Sequence, residues 1–67
     1  MNVKSFNKLS EDVNILENKL LENGESREYL LELKLAYLQK YDNFPTYGFI
    51  VDYYNHLVDI AKVKCYE

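Results

Sequence analysis

Two interruptions, "LLENGES" around Gly24 and "DNFPT" around Pro45, bound what this chain can fold into. Asn23-Gly24 is a helix C-cap signal, because glycine takes the left-handed conformation without steric cost. Pro45 disfavours helix at Phe44 and suits the first turn of a helix that follows. On either side of these breaks the apolar residues recur at helical spacing, which predicts three helices over about residues 5–22, 26–43 and 46–64. The expected fold is a single all-α domain over residues 1–67: an αα-hairpin plus a third, aromatic-rich amphipathic helix.

Each segment has its own pattern. In helix 1, Phe6, Leu9, Val13, Leu16 and Leu20 are spaced by three and four and form a narrow stripe with Ile15 outside it; Ser5 or Ser10 is a candidate cap. In helix 2, Leu30, Leu31, Leu33, Leu35, Tyr37, Leu38, Tyr41 and Phe44 cover about 200° of the wheel, wider than the roughly 100° that a surface helix needs. Lys34 falls inside that arc, and its stem is long enough to reach water. The third segment, "TYGFIVDYY", is rich in strand formers, but Asp52, Asn55, Asp59 and Lys62 recur at 3-4-3 spacing, which a strand would not produce. Gly48 lowers its helix propensity by up to about 1 kcal/mol. The last residues, "KVKCYE", are expected to fray or extend.

A chain of 67 residues buries only about 60% of the surface its unfolded form exposes, so its stability needs support from disulfides, a metal or oligomerisation. One cysteine, Cys65, cannot close an internal disulfide, and one histidine with one cysteine is too few for structural zinc. Oligomerisation is the support left open. Cys65 reads as a small, partly buried hydrophobe, since no base flanks it. There is no apolar run of signal-peptide or membrane-span length, so the expected location is the cytoplasm, without membrane contact.

Charge is uneven. From Glu11 to Glu32 seven acids face two bases, Lys19 and Arg27, giving that section −5 within a net charge of −3. Without a basic stripe, direct nucleic-acid binding is not expected. Chemistry is equally hard to place. The best acid–base grouping is "DYYNHLVD", where His56 follows Asp52 by four residues and precedes Asp59 by three, so either carboxylate could orient the imidazole. No nucleophile accompanies it, and no second histidine makes a metal site. Glu25, Glu28 and Glu32 have helical spacing but lack the turn glycine and closely spaced oxygens of a calcium loop. No cofactor is expected, and the chain reads as a non-enzyme.

The third helix carries the functional expectation. Its polar residues occupy an arc of about 80°, leaving roughly 240° of apolar and aromatic surface, of which a small three-helix monomer covers one side. The stripe Phe49, Tyr53, His56, Ile60, Val63 has no evident cover within the monomer. Phe44, Tyr47, Phe49, Tyr53, His56 and Val63 are therefore the candidate protein-binding residues, with Glu17, Glu22, Glu25 and Glu28 as an acidic surface that steers a partner's approach.

The partner is expected to be another protein, or a second copy of the chain. In its size, acidity and lack of motifs the sequence resembles the accessory proteins of phages and mobile elements, which commonly inhibit a host enzyme or defence system. That resemblance implies an inhibitory interaction protein acting in the host cytoplasm. Two other readings stay open: an acidic nucleic-acid mimic that fills the cleft of a DNA- or RNA-binding enzyme, and an obligate homodimer with a scaffolding role.

Overall fold

In the computed structural model, which describes the backbone of residues 3–65 and the side chains of residues 5–63, the chain folds as three helices. They are α1 (Val3–Glu22), α2 (Arg27–Lys40) and α3 (Tyr47–Cys65), and no strand occurs among the described residues. The strand-prone "TYGFIVDYY" is helical. Residues 62–65 of the segment expected to fray or extend are helical, since α3 continues through Cys65; residues 66–67 and the Cys65 side chain lie outside the described residues. α1 begins at Val3, so Ser5 and Ser10 sit inside the helix and neither caps it.

Local hydrogen bonds account for the helix ends. At the end of α1, Gly24 N–H donates to the Leu21 carbonyl (3.2 Å) and Glu25 N–H to the Leu20 carbonyl (2.9 Å). This is the paired bonding of a Schellman motif, with Gly24 at φ +96° in its left-handed position. Ser26 then caps α2, its Oγ accepting from Tyr29 N–H (3.2 Å).

The end of α2 repeats the motif without a glycine. Asp42 N–H reaches the Gln39 carbonyl (3.2 Å) and Asn43 N–H the Leu38 carbonyl (2.8 Å). Asp42 (φ 58°) and Asn43 (φ 64°) are both left-handed, and Phe44 N–H closes back onto the Tyr41 carbonyl at 3.1 Å, the pattern of a type I′ turn. Helix 2 therefore stops at Lys40, three residues short of the expected 43, because asparagine and aspartate tolerate αL better than other non-glycine residues. Thr46 N–H bonds to the Phe44 carbonyl (2.8 Å) across Pro45, a γ-turn that the fixed proline φ favours. Thr46 Oγ1 accepts from Phe49 N–H (3.2 Å), so Thr46 caps α3 and Pro45 precedes the helix.

α3 is the hub. It supplies Phe49, Ile50, Tyr53, Leu57 and Ala61 to the core, whereas α1 supplies Val13 and Leu20 and α2 only Leu30. Most interhelical contact is α3 against α1, then α3 against α2. α1 and α2, consecutive across the Gly24 turn, meet less closely. Phe6, Leu9, Leu16, Leu33, Tyr37, Leu38 and Tyr41 close the rim of this core.

Two substitutions test this account of the turns. Asp42→Gly is expected to raise stability by about 0.5–1 kcal/mol, because it relieves one left-handed non-glycine residue in a conformation glycine adopts freely. Thr46→Ala is expected to lower it by about 1 kcal/mol through loss of the cap. Both should appear as shifts of the urea midpoint at unchanged slope.

Candidate functional site

The side chain at the centre of the molecule is Tyr53. Its ring is fully buried, stacked on Phe49 one turn earlier (centroids 5.9 Å apart, planes 6° apart) and tilted against Tyr37 of α2 at 6.2 Å. A buried phenol needs a hydrogen-bond partner. Tyr53 Oη donates to Glu17 Oε2 of α1 at 2.5 Å and lies 3.4 Å from the Leu30 carbonyl of α2. The same Glu17 oxygen receives Lys34 Nζ of α2 at 3.2 Å, and that ammonium stands 5.6 Å from the Tyr53 ring centroid. One residue from each helix thus shares a single polar cluster. Burial, and then the bond to the Glu17 carboxylate, push the Tyr53 hydroxyl well above the ordinary tyrosine pKa.

Two further tyrosines join α2 to α3. Tyr37 Oη is 2.9 Å from His56 Nδ1, with the two rings edge to face at 5.7 Å. Tyr41 Oη donates to Asp52 Oδ2, and Lys40 Nζ approaches the same oxygen at 3.6 Å. The hydrogen bond to Asp52, followed by burial, raises the Tyr41 pKa as well. The Tyr41 ring lies across Gly48, where an added Cβ would stand 3.0 Å from its Cε1. This close approach gives Gly48 a packing role that offsets its poor helix propensity. Among the described residues no buried side-chain polar atom lacks a hydrogen-bond partner.

This network redistributes the expected site. Phe49 (3% exposed) and Tyr53 belong to the core and offer nothing to a partner. His56 is half-buried and bonds to Tyr37, not to Asp52 or Asp59; Asp52 is committed to Tyr41 and Lys40. Of the acidic set, Glu17 faces inward onto Tyr53 and Lys34, and Glu25 Oε1 accepts from Ser26 N–H at 3.1 Å. Glu22 and Glu28 are exposed. Of the aromatic stripe of α3, Phe49 and Tyr53 are buried and His56 and Ile60 half-buried, and the hydroxyls of Tyr37, Tyr41 and Tyr53 find partners across the helix interfaces; Val63 is left uncovered.

Phe44 (67% exposed), Tyr47 (37%) and Val63 remain outside. Phe44 and Tyr47 flank Pro45 on the hydrogen-bonded turn; Val63 is sixteen positions beyond Tyr47 on α3, about 24 Å along the helix axis. A single small contact cannot include all three. Leu31 and Leu35 of α2 are also exposed, at 56% and 48%, and were not singled out by the sequence pattern. Their one-turn spacing, on a helix whose apolar residues outnumber those it can bury, is the signal that would have found them.

Enclosed space is scarce. A recess of about 160 Å³ between α1 and α2, lined by Glu17, Asn18, Leu21, Arg27, Leu31 and Lys34, is smaller than the roughly 300–1,000 Å³ of small-molecule sites. Among the described residues no three His, Cys, Asp or Glu side chains gather as metal ligands, and no helix is long and apolar enough to cross a membrane.

The raised tyrosines set a pH dependence. Each is protonated in the folded state beyond its unfolded value, so its stabilising contribution is complete below about pH 10, the ordinary tyrosine value, and is lost as pH rises beyond it. Alkaline unfolding should therefore coincide with the appearance of tyrosinate absorbance from these two residues. Tyr53→Phe is expected to cost about 1.5–3 kcal/mol at neutral pH, as for a hydrogen bond to a charged group, and to reduce the alkaline sensitivity. Chemical denaturation at several pH values measures both.

No protein family, curated protein or solved structure matches the chain.

Proposed function

We propose that this chain is a non-enzymatic interaction domain that binds another protein through the turn Phe44-Pro45-Thr46-Tyr47 and inhibits that protein by covering its surface. The observation that carries the reading is the exposure of Phe44 and Tyr47 on a turn whose backbone is held by consecutive hydrogen bonds. Aromatic rings dominate interface hot spots. A loop already held in one conformation loses little entropy on binding, so more of its contact energy appears as affinity.

The exposed Glu22 and Glu28 fit a role in steering toward a basic partner, which affects association rate more than affinity. Inhibition, the phage or mobile-element setting and the cytoplasmic location follow from the resemblance in size, acidity and lack of motifs. The nucleic-acid-mimic reading is the weaker one, because Glu17 of its acidic set is spent inside the fold.

The test is capture of a partner from the native cytoplasm, followed by measured affinities for variants. Phe44→Ala and Tyr47→Ala lie on exposed side chains, so both should leave the thermal midpoint nearly unchanged. Each is expected to weaken binding by about thirtyfold, the effect of losing a hot-spot residue. Glu22→Gln with Glu28→Gln should slow association at low salt and leave the affinity within about threefold. If the glutamate pair abolishes binding while the aromatic variants keep it, the mimic reading replaces this one.

A further inference from the structure

We propose that α2 pairs in parallel with α2 of a second copy of the chain, across a two-fold axis, through Leu31, Leu35 and Leu38. This surface is separate from the Phe44–Tyr47 turn, and the inference does not depend on the partner proposed there.

The first observation is spacing combined with exposure. Leu31, Leu35 and Leu38 follow at four and three residues, the repeat by which two helices pack along a shared seam. Leu31 and Leu35 are exposed and Leu38 is half-buried, while α2 commits only Leu30 fully to the core. Leu21 of α1 borders the same groove, sharing the recess with Leu31, and would extend the buried area. A domain this small gains the apolar burial it lacks by sharing such a seam.

The second observation is charge, and it selects both the occupant and the direction. One flank of the leucine stripe carries Arg27 and Lys34, and the other carries Glu32 and Gln39; Glu28, three residues before Leu31, continues the stripe itself, and a parallel pair sets it beside its own counterpart at the exposed first turn of α2. A two-fold axis parallel to the helices sets each flank against the opposite flank of the other copy. Arg27 then faces Glu32 of the second copy, five residues on, the standard interhelical pairing of parallel helices, and symmetry supplies it twice. An antiparallel pair would set like flanks together, with Lys34 against its own counterpart. Lys34 is already paired with Glu17 in its own chain, so the Arg27–Glu32 contact carries the selection.

Sedimentation equilibrium over a wide concentration range tests this. The expected result is a mass rising from 8.0 kDa to twice that value. Leu35→Glu, on an exposed side chain, should keep its helical circular dichroism and raise the dimer dissociation constant at least about a hundredfold. Arg27→Glu and Glu32→Arg should each weaken the dimer about tenfold by placing like charges in contact, and the double reversal should restore it. A chain that stays monomeric at millimolar concentration overturns the proposal. So does a dimer indifferent to Leu35→Glu. A dimer that is lost with Leu35→Glu, but in which the double reversal binds no better than Arg27→Glu or Glu32→Arg alone, overturns the parallel pairing.

Discussion

The bond from the Tyr53 hydroxyl to Glu17 is the constraint on which the rest of this fold depends. A tyrosine at the centre of the core of a 67-residue chain is tolerable only if its hydroxyl is satisfied, and the acceptor is a carboxylate drawn partly out of water. That carboxylate needs a cation, supplied by Lys34. The three groups come from α3, α1 and α2 respectively, so the cluster forms only when all three helices are in place. Removing the Glu17 carboxylate leaves the buried Tyr53 hydroxyl with only the 3.4 Å approach to the Leu30 carbonyl.

The α2–α3 seam rests on the same logic with different partners. Tyr37 of α2 and Tyr41, the residue that caps its C-terminus, are four positions apart, and His56 and Asp52 are one turn apart on α3. The two antiparallel helices therefore match in register, Tyr37 with His56 and Tyr41 with Asp52. The turn between them sets that register at close range, since the paired αL residues Asp42 and Asn43 reverse the chain in a few residues. Gly48 leaves room for the Tyr41 ring at the point where the two helices approach. Turn, glycine and tyrosine are one device.

What is left for the surface follows from what the interior consumes. Phe49, Tyr53 and His56 are used inside, along with the carboxylates of Glu17 and Asp52. Two groups of exposed apolar side chains are the aromatic turn at Phe44 and Tyr47 and the leucine stripe of α2, with Ile15, Tyr29 and Val63 exposed apart from both. α2 exposes leucines because its apolar residues cover about 200° of the helix while Leu30 alone is buried in the core.

The sequence by itself determined the elements. Gly24 and Pro45 separate three runs of helical periodicity, and the 3-4-3 recurrence of Asp52, Asn55, Asp59 and Lys62 was enough to make α3 a helix despite its strand-prone composition. Such signals are local, carried by residues within a turn or two of one another. The sequence also indicated that α2 and α3 carry wider apolar arcs than a surface helix needs, and it placed the uncovered stripe on α3, where Phe49 and Tyr53 are in fact buried. Which part of that surface stays bare was decided only by the tertiary structure. On a wheel Phe49 and Tyr53 are as apolar as Leu31 and Leu35, and their difference lies in Glu17, Lys34 and Tyr37 meeting Tyr53, on which Phe49 stacks, while water meets the leucines. A side chain's position on its helix fixes its direction, whereas its burial depends on what another helix places opposite.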